Sequence, residues 1–392
     1  MLRVLTLSTL FPDASRPNFG VFVERQTLGL AAHPDVALKV VAPIGLPPFP
    51  LDRHPRYRTL AAQPYHEYRK GLEIYRPRFL NIPGTQGRRH AAMLTRALVR
   101  LLDGIREDFP FDILDTEFFF PDGPAAIALG KRYGVPVSIK ARGADIHHWG
   151  TAVATRDQVL AAGKEAAGTL AVSAAMADDM AALGMPRDRI RVHHTGIDRT
   201  RFGTITRAQA KAGLNIRGSL ILSVGALIPR KGHDIVIAAM ADLPSAHLWV
   251  VGAGPEETRL RAQAERIGVA RRVRFTGAIP HDELPPIFAA ADVMALASAS
   301  EGLANVWVEA LASGTPLVIP DAGGAKEVVS SMGAGRIVER SPQAFAMAIR
   351  QLLTAPPATE WVKAMADRFS WDRNRDTLYA HLSALVANQS SG

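Results

Sequence analysis

Short apolar runs alternate with stretches of helical period along the chain, and that alternation predicts βαβ units built on parallel sheets. In the first half the runs predict strands at Leu2–Leu7, Ala37–Val41, Ile113–Asp115, Val137–Lys140, Leu170–Val172 and Ile190–His193. Helical periodicity fits Val21–Ala31, Arg89–Ile105, Gly123–Tyr133, Arg156–Ala166 and Ala174–Leu183. Residues 43–87 are rich in Pro and Arg and weakly periodic, which predicts a long excursion above the sheet, where α/β folds place binding loops. After Gly196-Ile197-Asp198 the pattern restarts. Strands are expected at Leu220–Val224, Leu248–Val251, Val273–Phe275, Val293–Leu296, Leu317–Ile319 and Arg336–Val338. Helices are expected near His233–Met240, Glu256–Ile267, Asp282–Ala290, Asn305–Ala312 and Gln343–Leu353. No period of about 20–50 residues recurs, so a solenoid is excluded. The economical fold class is α/β, with two doubly wound parallel-sheet domains split near residue 200.

Composition narrows the chemistry. The 392 residues include no cysteine, which removes disulfides, thiolate zinc sites, iron–sulfur clusters and cysteine nucleophiles together. No apolar run reaches the roughly 18–20 residues that span a bilayer. The opening MLRVLTLSTLF lacks a small-residue cleavage site and reads as a first buried strand rather than an export signal, so the expected location is cytoplasmic. Eleven Lys/Arg lie between Arg53 and Arg100 against only Glu67 and Glu73, so this window carries an excess of nine, equal to the net charge of +9 for the whole chain. Such a patch favours an anionic partner: a membrane surface, a lipid diphosphate or a nucleic acid. The plain alternative is a solvated basic face with no partner.

Three strand-to-helix turns in the second half carry candidate chemistry. Glu301-Gly-Leu-Ala-Asn-Val-Trp-Val-Glu309 places two carboxylates eight residues apart. On one helix they would stand about 80° out of register, so Glu301 is expected in the loop and Glu309 on the helix, with Asn305 as N-cap. The peptide N–H groups of Gly302, Leu303, Ala304 and Asn305, with the helix dipole behind them, would then form an anion site suited to a diphosphate. Ser223-Val-Gly225-Ala-Leu-Ile-Pro-Arg230-Lys231-Gly232 joins a close backbone approach to two adjacent cations that neutralise phosphates. Val250-Val-Gly252-Ala-Gly254-Pro255-Glu256 is a third such turn, and it lacks the last glycine of a dinucleotide fingerprint. No H-E-x-x-H, G-x-S-x-G or G-x-x-x-x-G-K-[ST] motif is present, and hydrolase and P-loop readings fall away. The pairs His147-His148 and His193-His194 lack a partner at helical ligand spacing, so no metal site is expected. Phe118-Phe119-Phe120 reads as core or cleft wall before it reads as an acceptor platform.

The succession Gly225…Arg230-Lys231-Gly232, Gly252-Ala-Gly254-Pro255-Glu256, Phe275-Thr-Gly277 and Glu301-x7-Glu309 resembles the retaining glycosyltransferases of family 4. Asn18-Phe19-Gly20, Pro121-Asp122-Gly123, Arg142-Gly143-Ala144-Asp145, Val172-Ser173-Ala174 and Gly196-Ile197-Asp198 extend the likeness over nearly the full chain. Tyr75-Arg-Pro-Arg-Phe-Leu80 and Phe120-Pro-Asp-Gly123 resemble the branch that builds exopolysaccharides and teichuronic-type polymers.

The resemblance implies a GT-B fold, two facing Rossmann-like domains with the active site in the cleft. Residues 1–197, completed by the final helix 371–392, would bind the acceptor, and residues 198–370 the nucleotide sugar. By the family pattern Glu309 binds the ribose, and Arg230 and Lys231 clamp the diphosphate. Glu301 and the backbone from Gly302 to Asn305 hold the donor sugar, and backbone near Ile279 meets the base. Gly225 and Gly252 admit the donor, and Gly20 lets the first loop approach the phosphates. Arg142 and Asp145 stand on the acceptor side. Ala226 replaces a common Arg, and Arg142 stands where many members carry His; a guanidinium stays protonated, so Arg142 is no general base. The implied reaction moves a sugar from a GDP- or UDP-sugar to a lipid-linked or polysaccharide acceptor, with retention of configuration. No cofactor and no divalent ion are implied, since no Asp-x-Asp motif is present and the cations take that role. Contact with the inner face of an anionic membrane is expected, and no nucleic acid. The alternatives are a sugar epimerase or phosphorylase on the same scaffold, and a nucleic-acid-binding module using the basic window.

Overall fold

Val4, Leu5 and Leu7 are all buried, as a strand demands when helices cover both faces of a parallel sheet. They belong to β1 (Leu2–Leu7), the middle of the sheet in the first of two compact units. The computed structural model describes residues 1–390. The first unit comprises Met1–Gly196 and the chain from Trp371 onward, and the second Ile197–Ser370.

The strands of the first unit are β1, β2 (Val36–Val41), β3 (Ile44–Leu46), β4 (His66–Arg69), β5 (Leu72–Tyr75), β6 (Arg78–Leu80), β7 (Ile113–Thr116), β8 (Val137–Ala141), β9 (Gly168–Ala171) and β10 (Ile190–Val192). Its helices before the crossover are α1 (Val21–Ala31), α2 (Pro55–Ala61), α3 (His90–Asp108), α4 (Asp122–Tyr133), α5 (Arg156–Glu165) and α6 (Ala174–Ala182). The eight-stranded sheet runs β10-β9-β8-β7-β1-β2-β5-β4, with only β4 antiparallel to its neighbour. Strand order therefore reverses at β1 and β7, the point where open α/β sheets bind ligands beyond the carboxyl ends of their strands.

Residues 43–87 are more ordered than their sequence suggests. β4 and β5 extend the main sheet as a hairpin, β3 pairs with β6 in a separate two-stranded sheet, and α2 lies between. The hairpin turn is Lys70-Gly71, with φ of 51° and 84°, the left-handed pair of a type I′ turn.

In the second unit β11 (Ser219–Val224), β12 (Ala246–Val251), β13 (Val273–Gly277), β14 (Val293–Ala295), β15 (Leu317–Ile319) and β16 (Gly335–Ile337) form a parallel sheet in the order β13-β12-β11-β14-β15-β16. Around it pack α7 (Arg207–Gly213), α8 (His233–Ala239), α9 (Glu257–Arg266), α10 (Leu284–Ala290), α11 (Asn305–Ala312), α12 (Ala325–Val328), α13 (Pro342–Thr354) and α14 (Thr359–Ala364). This is the doubly wound Rossmann order, and its switch point lies between β11 and β14. The chain then returns to the first unit as α15 (Trp371–Ser390), whose Leu378 and Leu382 pack with Val4, Leu30, Ile113 and Leu170. Each fully buried leucine contributes about 1.5–3 kcal/mol.

Candidate active site

In the second unit the loops after β11 and β12 are zipped together by backbone. Gly225 N–H donates to Val251 O at 2.9 Å, Leu227 N–H to Ala253 O at 3.0 Å and Glu256 N–H to Leu227 O at 3.0 Å. Gly252 (φ +140°) sits where a Cβ would collide with the Gly225 carbonyl oxygen, so the close approach itself demands glycine. The β11 loop ends in a single 3₁₀ turn, Pro229–Lys231, that presents the two cations. Ala299 N–H donates to Arg230 O at 2.8 Å and ties this turn to the loop after β14. Lys231 Nζ then meets Glu301 Oε1 at 2.5 Å, Arg230 Nη1 lies 3.5 Å from Glu301 Oε2, and Arg230 also donates to Ser300 O at 2.5 Å. Two cations share one carboxylate, so the cluster keeps a net positive charge for an anion.

Glu301 lies in the loop and Glu309 on α11, as the spacing requires. The capping expectation is corrected: α11 begins at Asn305, its N-cap is Ala304, and no side chain caps it. Main chain fixes the entry instead, through Gly324 N–H donating to Gly302 O at 2.8 Å. Gly302, Leu303 and Ala304 are buried around this turn, which presents the positive end of the α11 dipole beside Glu301. Glu309 Oε1 accepts from His281 Nε2 at 2.7 Å. His281 follows Ile279 by two residues in the loop after β13, so Ile279, His281 and Glu309 are gathered at one place. Beneath Gly225, His233 Nδ1 lies 2.9 Å from Ser223 Oγ, and burial takes its pKa down to about 4, which keeps the ring neutral near pH 7.

The first unit presents a second constellation at its own switch point. Gly20 caps α1 with φ +71°, and a Cβ there would strike the Leu10 carbonyl. Asp145 is buried and accepts backbone N–H groups from Gly143 at 2.7 Å, Arg142 at 2.9 Å and Phe119 at 3.0 Å. It staples the loop after β7 to the loop after β8. Burial, opposed by those amides, holds its pKa above the usual value.

Arg142 turns inward and pairs with Glu117, which also accepts from the Gln26 amide. Lys140 Nζ donates to Gln26 Oε1 at 2.6 Å and meets His193 Nδ1 at 2.7 Å, while His193 Nε2 reaches Asn374 O on α15 at 2.9 Å. A carbonyl only accepts, so Nε2 carries the proton and Nδ1 accepts from Lys140. Asp115 lies fully buried in the same cluster; burial and the neighbouring Glu117 push its pKa well above the carboxylate range. Burial, aided by Arg142, drives the Lys140 pKa well down. A chain of hydrogen bonds thus links α15 to Arg142, with Lys140 donating in both directions and Glu117 accepting from both sides.

Of the sequence candidates, Arg230, Lys231, Glu301 and the Gly302–Asn305 turn come together, and Glu309 joins Ile279. Arg142 and Asp145 share one loop, yet Asp145 is occupied by main chain rather than directed at Arg142's guanidinium. His281, Gln26 and Lys140 were not singled out from sequence. His281 had a signal in its loop position next to Ile279, whereas Gln26 and Lys140 lie within an ordinary helix and strand. The paired histidines go to separate partners, His193 to Lys140 and His147 to Asp179 at 2.8 Å.

Residues 30–201 match the family described as Glycosyltransferase Family 4, and residues 205–368 that described as Glycosyl transferases group 1. The D-inositol 3-phosphate glycosyltransferase of Acidothermus cellulolyticus is 32% identical over 314 residues, covering 72% of this chain and 69% of that protein. TuaC of Bacillus subtilis, named for teichuronic acid biosynthesis as a glycosyltransferase, is 27% identical over 89% of this chain and 88% of its own length. A GDP-mannose-dependent phosphatidylinositol monomannoside mannosyltransferase of Mycolicibacterium smegmatis is 36% identical over 41% of this chain and 46% of its length, so the match spans under half of that protein. Among solved structures, sucrose-phosphate synthase from Thermosynechococcus elongatus superposes with a TM-score of 0.76 at 19% identity, covering 100% of this chain and 98% of that one. Anabaena HepE in complex with UDP gives 0.75 at 20% identity, covering 98% and 100%. These structural likenesses speak to fold. The chain is a family 4 glycosyltransferase with the GT-B architecture of two Rossmann-like halves.

Proposed function

We propose that the second unit holds a GDP- or UDP-sugar and that the first unit holds an acceptor to which the sugar passes with retention of anomeric configuration. The observation that carries this reading is the Arg230–Lys231–Glu301 cluster at the mouth of α11, with Glu309 one helix turn further along the same element. Arg230, Lys231 and the N–H groups from Gly302 to Asn305 receive the charge that develops on the departing diphosphate. Each charge-assisted contact contributes about 1.5–3 kcal/mol. Glu309, steadied by His281, takes the ribose hydroxyls, and backbone near Ile279 meets the base. Gly225 and Gly252 let backbone approach the phosphates, and Gly20 does the same in the first unit. Glu301 holds the sugar rather than attacking it. The bond from the anomeric carbon to the diphosphate breaks, a bond to the acceptor oxygen forms on the same face, and the acceptor proton passes to the leaving phosphate. Arg142, turned inward onto Glu117, acts on the acceptor side through the loop that it and Asp145 fix. No divalent ion enters this scheme.

The acceptor side favours an anionic, lipid-linked or polymeric substrate. The relatives' names point to anionic molecules: inositol 3-phosphate, a phosphatidylinositol monomannoside and, as the polymer being made, teichuronic acid. The basic residues of the first unit are suited to such an acceptor and to the inner face of an anionic membrane, which supports a cytoplasmic enzyme working at that surface.

Thermal unfolding with GDP, UDP or ADP, each with and without EDTA, tests the donor half. A ligand at a hundred times its Kd raises stability by about 2.7 kcal/mol. One nucleoside diphosphate is expected to shift the melting temperature regardless of EDTA, and Lys231→Ala or Glu309→Ala should abolish both shift and turnover. Normal turnover in both variants would sink the assignment.

A further inference from the structure

A pocket of about 320 Å³ opens in the first unit beyond the ends of its strands, apart from the Arg142 chain. Its lining is largely apolar, with Ile44, Leu60 and Phe79 beside an aromatic cluster. The rings of Phe120 and Trp149 lie 5.1 Å apart at an interplanar angle of 35°, His90 stacks on Phe120 at 6.3 Å, and Phe118 lines the side half-buried. Thr9 and Asn81 add polar atoms from the loops after β1 and β6. Arg16, at the rim, is held by Asp13 through contacts of 2.9 Å and 2.7 Å, so its charge is already matched.

We infer that this pocket is a recognition subsite for a pyranose ring of the acceptor, distinct from the groups that orient the reacting hydroxyl. The assignment rests on the glycosyl-transfer reading for its place in the reaction, and on the pocket alone for its chemistry. A sugar ring offers an apolar face of C–H groups bounded by hydroxyls. Trp149, half-buried and backed by the fully buried Phe120, suits that face together with Phe118, as aromatic rings bury large area in a fixed orientation. Asn81 and His90 suit its edge, while the Thr9 hydroxyl is held by Asp122 at 3.2 Å. Burial holds the His90 pKa below its usual value, so the imidazole meets the ligand uncharged. The volume lies at the low end of small-ligand pockets, which run from about 300 to 1,000 Å³, and matches a ring rather than a whole nucleotide sugar. An isoprenoid chain would fill the apolar space but would strand the Asn81 amide and the His90 imidazole in a dry setting.

Fluorine NMR of the full chain labelled with fluorotryptophan tests this, with the Trp149 resonance assigned by its loss in Trp149→Phe. Methyl pyranosides, neutral and uronate, are titrated at millimolar concentrations, and geranyl phosphate serves as the isoprenoid probe. The Trp149 signal is expected to move saturably with a pyranoside, and Phe118→Ala should weaken that binding by about tenfold. A preference for the uronate would add a charge requirement at the same ring. A shift with geranyl phosphate alone, or none with any probe, overturns the proposal. Binding of GDP and UDP is followed in the same samples. Nucleotide binding without a sugar shift removes the subsite and leaves the transferase reading standing; a sugar shift without nucleotide binding does the reverse.

Discussion

At Lys231 and Arg230 the carboxylate of Glu301 does two jobs at once. It holds the two cations in place and cancels one of their charges, with Lys231 at 2.5 Å and Arg230 at 3.5 Å. Replacing Glu301 by Gln keeps the shape and removes the negative charge, so a diphosphate meets one more net positive charge. Free nucleoside diphosphate is therefore expected to bind Glu301→Gln at least as tightly as the wild type, while kcat falls because the sugar has lost its anchor. Calorimetric binding and steady-state kinetics together check this, and a loss of diphosphate affinity in the variant would contradict it. A second residue responds to pH. Asp122 accepts from Thr9 N–H at 2.7 Å, and burial takes its pKa up to about 7 against those hydrogen bonds. A raised carboxyl pKa means the folded state binds the proton that the unfolded state has released. Its contribution to stability is present below the unfolded value and declines as pH rises from about 4 to about 7, by on the order of 4 kcal/mol. Asp122→Asn removes that dependence, so its melting temperature should gain on the wild type across this window; parallel curves would refute it.

Elements with an uninterrupted apolar pattern were legible in the chain. β1, α1 and α11 begin and end where periodicity places them, because no competing local signal interrupts the apolar pattern. The β4–β5 hairpin escaped because its turn is Lys70-Gly71 rather than Asn-Gly, and its charged residues disguise the strand. Arg69 and Lys70 in fact reach the buried Glu24 of α1 at 2.7 Å and 2.6 Å. Short helices such as α7, α12 and α14 had too few residues to show a period. The donor-side motif was legible because it is local in sequence, whereas the chain from α15 through His193, Lys140 and Gln26 to Glu117 joins five segments distant in sequence. That chain gives a stability prediction. Lys140 is buried and serves as donor to both Gln26 and His193, beside Asp115 and Glu117. Lys140→Met keeps the stem and removes the charge, leaving two acceptors and two buried carboxyls less compensated. Breaking one partner of a buried charge cluster costs about 3–5 kcal/mol, and chemical denaturation should show a loss on that scale. An unchanged midpoint would mean the lysine is neutral and idle in the fold.

Across the whole molecule the net charge of +9 is less available than the count implies. Within the basic window Arg69 and Lys70 are spent on Glu24, Arg76 is buried against Glu67, and Arg78 donates to backbone carbonyls of Arg76 and Gln63. Arg53, Arg56, Arg58, Arg88, Arg89, Arg96 and Arg100 remain exposed, and no ion pair engages them among the described residues. Beside Arg53, whose guanidinium lies 4.8 Å from the Phe49 ring centroid, Phe49 and Leu51 are 68% and 51% exposed. Apolar tips flanked by uncompensated arginines suit a surface that is anionic outside and apolar within. No helix of the described residues is long and apolar enough to cross a membrane. Each basic side chain near an anionic leaflet contributes about 1 kcal/mol. Sedimentation with phosphatidylglycerol vesicles is therefore expected to recover the protein, while phosphatidylcholine vesicles leave it in solution. Replacing Arg96 and Arg100 together by Ala should weaken binding by about 2 kcal/mol, close to thirtyfold. Raising the salt should release the wild type, since charges in water are screened over about 10 Å at 0.1 M ionic strength and about 3 Å at 1 M. Phe49→Ser should lower the affinity that survives at high salt, because that residue carries the apolar part of the contact. Equal recovery on neutral and anionic vesicles would show that the exposed arginines serve solubility or the acceptor rather than the membrane.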